Sequence, residues 1–120
     1  AIELNKDNFY YYYIRAYCKY KLENWRGAID DYSKYLTKYP EDVSTIINIG
    51  DAKYNLGDYK GAILFYTRAI SIEPKNAEAY LWRGIAKIQI KDKIGACKDL
   101  NKAATLGEDE AYKLINENCN

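Results

Sequence analysis

The chain repeats itself every 34 residues, and a repeat of that length dictates how it can fold. Asn8, Asp42 and Asn76 fall in register, and so do Lys19, Lys53 and Lys87. Further along each copy stand Asn24, Asp58 and Asp92, then Gly27, Gly61 and Gly95, then Ala28, Ala62 and Ala96. A unit of this size cannot bury an apolar face alone, so the copies must stack on one another.

Each copy reads as helix–turn–helix. Asn8, Asp42 or Asn76 opens a helical pattern as its N-cap, the side-chain oxygen accepting from a free N–H of the first turn. Apolar and small residues then recur at helical spacing, as in Ile46, Ile49, Gly50, Ala52 and Tyr54. A break follows at Leu22-Glu23-Asn24, Leu56-Gly57-Asp58 and Lys91-Asp92, and its last residue is again a cap type. Small residues open the second helix, and Pro40 and Pro74 close the first two copies, because proline cannot continue a helix. Ala16, Gly50 and Gly84 on the first helix and Ala28, Ala62 and Ala96 on the second let the two backbones approach closely.

These residues resemble the tetratricopeptide repeat (TPR) family. The middle copy carries Gly50, Tyr54, Gly57, Tyr59, Ala62, Tyr66, Ala69 and Pro74 at the family's positions. The first copy matches with Ala16, Tyr20, Trp25, Ala28, Tyr32 and Pro40, and the third with Gly84, Ala96, Leu100 and Ala103. The first and third copies depart from the pattern in places. Tyr35 stands where Ala69 and Ala103 do, Lys93 replaces the aromatic of Trp25 and Tyr59, and Glu108 replaces the closing proline. The resemblance covers nearly the whole chain. It implies an all-α helix–turn–helix solenoid, a right-handed superhelix of three repeats over residues 9–42, 43–76 and 77–110. Residues 111–120 read as a capping helix, with Ala111, Tyr112, Leu114 and Ile115 on its apolar side. Residues 1–8 read as the tail of a preceding repeat or a clipped helix, since Ala1-Ile2-Glu3-Leu4 aligns with Ala69-Ile70-Ser71-Ile72. Ala1 in first place and the absence of methionine fit a piece of a longer chain or a processed one.

In TPR proteins the first helix of each repeat lines a concave groove. The resemblance puts Tyr10, Tyr13 and Tyr17 there from the first copy, Ile47, Asn48 and Asp51 from the second, and Leu81, Trp82 and Ile85 from the third. Tyr20 and Tyr54, which recur in register, read as core. Tyr and Trp suit an interface because they combine contact area with a polar handle. Asn48 is the sharpest candidate, since an Asn at this place in many TPRs binds the backbone of an extended peptide, donating and accepting at once. The family's chaperone carboxylate clamp needs Lys and Asn, then Asn, then Lys and Arg. The matching places here hold Tyr13, Tyr17, Asn48, Glu78 and Trp82, so that clamp is not expected.

Composition narrows the function classes. A net charge of +1 over 120 residues gives no basic footprint for nucleic acid or an anionic membrane. No apolar run approaches the ~20 residues of a membrane helix. Histidine is absent, no catalytic constellation stands out, and neither an enzyme nor a cofactor or metal is expected. Asp30-Asp31 and Glu108-Asp109-Glu110 read as exposed helix faces or termini. Of three cysteines, Cys18 reads as packing. Cys97 and Cys119 lie at equal distance on either side of Glu108, where the last hairpin turns, and antiparallel arms of equal length bring them side by side. Two readings stand. They form a disulfide, which implies an oxidising, extracytoplasmic or periplasmic compartment, or they are buried free thiols, which leaves the cytoplasm open. The G-A-C-K-D-L-N-K-A run at residues 95–103, with the late Cys, is similar to closing repeats of bacterial exported TPR proteins. The expected function is a protein-interaction module that takes a partner peptide or helix in its groove. The alternative is a structural spacer of a longer array, or self-association through the N-terminal edge.

Overall fold

The computed structural model describes residues 8–120, and the segment 1–7, with most of the expected preceding tail, lies outside the described residues. The helices are α1 (Phe9–Lys21), α2 (Trp25–Lys38), α3 (Val43–Asn55), α4 (Tyr59–Ile72), α5 (Ala77–Gln89), α6 (Lys93–Thr105) and α7 (Glu110–Asn118), with no strand among the described residues. The caps explain where they begin. The side chains of Asn8, Asp42 and Asn76 accept from Tyr10, Thr45 and Ala79 N–H, and those of Asn24, Asp58 and Asp92 accept from Gly27, Gly61 and Gly95 N–H. The tight turn inside each pair needs one residue in the left-handed region. Gly57 takes it at φ 83°, while Glu23 and Lys91, its register mates, take it at 61° and 67°.

Three helix pairs form, α1 on α2, α3 on α4 and α5 on α6. They stack through α2 on α3, α4 on α5 and α6 on α7, giving an all-α solenoid 57 × 25 × 20 Å. Tyr32, Tyr66 and Leu100 are register mates on the second helices, and all three are fully buried. Tyr66 and Leu100 face Gly50 and Gly84 of their partner helices. At Gly50 the approach is close: a Cβ there would sit 2.8 Å from the Tyr66 ring. Tyr35, where the other copies have Ala, leans outward onto Tyr13 and Tyr39 at ring-centre distances of 5.0 and 4.8 Å.

The core holds two ion pairs, and the sequence reading placed a member of the first, Asp31, wrongly. Asp31 is 1 % exposed, not on a solvated face. It accepts from Arg15 Nε and Nη2 at 2.7 and 2.8 Å, and Lys19 Nζ lies 3.1 Å away. Its register mate Asp99 is 4 % exposed and takes Arg83 at 2.8 and 2.7 Å and Lys87 at 3.0 Å. Burial pushes the Asp31 carboxyl up, but the hydrogen bonds from Arg15 and Lys19 outweigh it and hold that carboxyl below its usual range. The middle copy replaces the pair with Ile49 and Phe65, and Lys53 Nζ then rests 5.6 Å over the Phe65 ring. The signal was present as Arg15 and Asp31 recurring in register as Arg83 and Asp99.

At the C-terminal end α7 packs on α6, with Ala111, Leu114, Ile115 and Cys119 gathered on Leu81, Leu100 and Ala103. Cys97 and Cys119 are bonded, at a sequence separation of 22. Cys18 is exposed and free, so its reading as packing is corrected. Closing a loop of that size is worth about 3 kcal/mol on the chain-entropy model. Reduction should therefore lower the urea unfolding midpoint of the wild type and leave that of a Cys97→Ser/Cys119→Ser variant unchanged.

Candidate functional site

The exposed side of α1, α3 and α5 carries the expected groove residues, and they divide into three groups. Tyr10 and Tyr17 are surface residues, 61 % and 46 % exposed. Tyr10 stacks on Tyr13 at 6.1 Å, and Tyr13 anchors edge-on against buried Tyr32 at 5.9 Å. Lys21 Nζ lies 5.4 Å from the Tyr17 ring. Asn48, Asp51, Trp82 and Ile85 are half-buried. Ile47 and Leu81 are corrected. They are 4 % and 2 % exposed and belong to the core, not to the groove surface. A residue one step away on a helix is turned by about 100°, so 47 and 81 point inward while 48 and 82 face outward.

Asn48 is held in place before any ligand arrives, its Nδ2 donating to the Tyr32 hydroxyl at 3.3 Å. Burial pushes that phenol up to about 12. Nearly one turn further along α3, Asp51 sits at the back of a recess of about 90 Å³ lined by Tyr20, Tyr54, Asn55, Tyr66 and Trp82. The Tyr66 hydroxyl donates to Asp51 Oδ1 at 2.5 Å and the Tyr20 hydroxyl to Oδ2 at 3.2 Å. Trp82 closes one side, edge-on to Tyr54 at 6.4 Å, and Gln89 Nε2 donates to the Tyr54 hydroxyl at 3.2 Å. Tyr20, Tyr54 and Tyr66 were not expected here. Tyr20 and Tyr54 read as core because they recur in register, and they do pack against it, yet like Tyr66 they line the recess.

Burial pushes the Asp51 carboxyl up to about 6, and the nearby Glu78 carboxylate adds to this, while the hydrogen bonds of Tyr66 and Tyr20 oppose it. Below the unfolded carboxylate value both states hold the proton. Between that value and about 6 only the folded state does, so stability falls as pH rises through this window. An amide in its place carries no such penalty. Asp51→Asn should stabilise the domain by about 2 kcal/mol at pH 7, the partial exposure of the site included, and by nothing at pH 4. Urea unfolding at the two pH values checks this.

With the geometry in view, comparison with known proteins places the chain. A family model described as TPR repeat matches residues 50–89, and one described as tetratricopeptide repeat matches residues 10–42. The chain belongs to the tetratricopeptide repeat family. No curated protein sequence matches it significantly. Among 176 matching solved chains, the first TPR of Spaghetti (RPAP3) bound to the HSP90 peptide SRMEEVD superposes with TM-score 0.85 at 20 % identity, covering 98 % of this chain and 94 % of that one. The Arabidopsis OM64 TPR domain gives 0.84 at 23 %, covering 91 % of each chain. The MamA protein gives 0.80 at 27 %, covering 87 % of this chain and 58 % of that one, so the TPR unit described here spans little more than half of MamA. These likenesses show the helical-repeat fold of a TPR domain.

Proposed function

We propose that this TPR domain binds a segment of a partner protein in its concave groove, with Tyr13, Tyr17, Asn48, Trp82 and Ile85 as contacts. The carrying observation is the row formed by exposed Tyr10 and Tyr17 and half-buried Trp82, beside an Asn already oriented by the Tyr32 hydroxyl. Aromatic surface left open beside fixed polar groups is the usual make-up of an interaction site. The groove is not the chaperone clamp, in this reading. Spaghetti holds a peptide rich in carboxylates, whereas the places matching the clamp's cations carry Tyr13, Glu78 and Trp82 here. An acidic C-terminus would meet Glu78 and Asp51 with nothing to neutralise it. The disulfide favours an oxidising, extracytoplasmic compartment. Alkylation of the protein in its native extract, before any reduction, tests this by counting free thiols.

The test of the groove is affinity capture from the source extract, with the domain beside a Tyr17→Ala/Trp82→Ala variant that keeps its helical circular dichroism. A partner held by the first and lost by the second supports the reading. Equal capture by both overturns it.

A second reading rests on α1. Thr45 and Ala52 of α3, and Ala79 and Ala86 of α5, are fully buried on helices that pack against the preceding pair. Their register mates Tyr11 and Cys18 are not, and Ile14 is 47 % exposed. Self-association through this edge predicts a mass that rises with concentration in light scattering and returns to the monomer in Ile14→Lys.

A further inference from the structure

A carboxylate drawn out of water needs a partner, and buried Asp31 and Asp99 and half-buried Asp51 are served differently. Asp31 and Asp99 each hold an arginine and a lysine of their own repeat. Asp51 holds two phenols and, among the ion pairs of the described residues, no cation. Its oxygens offer about four acceptor sites, of which Tyr66 and Tyr20 take two. Asp51 itself lines the recess. Asn55 Nδ2 donates to the Asp51 carbonyl at 2.8 Å, which leaves its Oδ1 as a further acceptor at the recess wall. Tyr54 and Trp82 add aromatic walls, and aromatic rings are good neighbours for a cation. Glu78, exposed on α5, extends the negative potential to the rim.

We infer that the recess at Asp51 receives a lysine side chain of the partner segment, so that the groove selects basic, extended peptides. This deepens the groove reading and rests on it. The chemistry favours lysine over arginine. About 90 Å³ is the room of roughly three waters. A compact ammonium with three donors fits that room, meeting one free acceptor on each Asp51 oxygen and the Asn55 oxygen, with the Trp82 face beside its methylene stem. The planar guanidinium of arginine needs a wider, flat-sided slot. The two phenols hold the carboxylate so that its remaining acceptors stay open when the groove is empty.

The test is a random dodecapeptide library displayed on phage and selected on the intact, oxidised domain at low salt. Parallel selections use Asp51→Asn/Glu78→Gln and Tyr17→Ala/Trp82→Ala, each checked for its helical signal. The expected result is enrichment of lysine at one position, next to aromatic or apolar positions. The selected peptides should lose about tenfold in affinity when that lysine becomes norleucine. In Asp51→Asn/Glu78→Gln the lysine preference should vanish while the flanking preferences remain. Groove-dependent peptides with no lysine preference, or with acidic residues enriched, overturn this inference and leave the groove reading standing. No enrichment at all, or peptides that bind Tyr17→Ala/Trp82→Ala equally well, overturns both.

Discussion

Tyr66→Ala is expected to lower the free energy of unfolding by about 4 to 5 kcal/mol, more than most single changes in a domain of this size. The ring is fully buried and fills the centre of the middle pair against Gly50. Its removal leaves a cavity that Gly50, with no side chain, cannot fill. It also strips Asp51 of its shorter hydrogen bond, 2.5 Å from Oδ1. Tyr66→Phe separates the two effects, since it keeps the ring and should cost only about 1 to 2 kcal/mol. Leu64→Ala is the control. That side chain is 70 % exposed on the same helix and should change stability by less than about 0.5 kcal/mol. Urea unfolding followed by circular dichroism reads all three. A Tyr66→Ala cost near 1 kcal/mol would show that the middle pair is not packed around this ring.

Asp99→Ala is expected to cost about 3 to 4 kcal/mol, because it strands the half-buried Arg83 guanidinium and Lys87 without a counter-charge. The double change Arg83→Ile/Asp99→Phe should be nearly neutral. It copies what the middle repeat already carries at Ile49 and Phe65, with Lys87 free to lie over the new ring as Lys53 does over Phe65. A buried ion pair is costly to break and cheap to replace by well-packed apolar residues. If the double variant were as unstable as Asp99→Ala, the pair would be contributing net stability here. The same substitutions at Arg15 and Asp31 should follow the same order, with smaller effects because Arg15 is more exposed.

The parts of this fold that depend on local chemistry were legible in the sequence. Asn8, Asn24, Asp42, Asp58, Asn76 and Asp92 announce helix starts because a cap acts on its own first turn. Pro40 and Gly57 mark turns for equally local reasons. What depends on two helices meeting was harder. Ile47 and Asn48 are adjacent in sequence and lie on opposite sides of the groove wall, and a stripe drawn at helical spacing cannot separate them without knowing where α2 sits. Asp31 looks like half of a solvated acidic pair with Asp30 until Arg15 is seen 16 residues earlier on the facing helix. The recess at Asp51 draws on α1, α3, α4 and α5, so no single repeat contains it.

The stacking order has a consequence for how the molecule comes apart. Among the described residues each pair touches only its neighbours along the array, so the middle pair gives up two of these interfaces when it opens and the first pair one. At the other end α7 is tied to α6 by a covalent bond. Breathing is therefore lopsided. Backbone amides of α1 and α2 should exchange with solvent fastest, those around Tyr66 and Leu100 slowest, as in a zip with one stop welded shut. Tyr10, Tyr13 and Tyr17 ride on the loosest segment while Trp82 rides on the firmest. A ligand that bridges them would clamp the loose end to the tight one, and its arrival would be visible as slowed exchange in α1 before any change of shape.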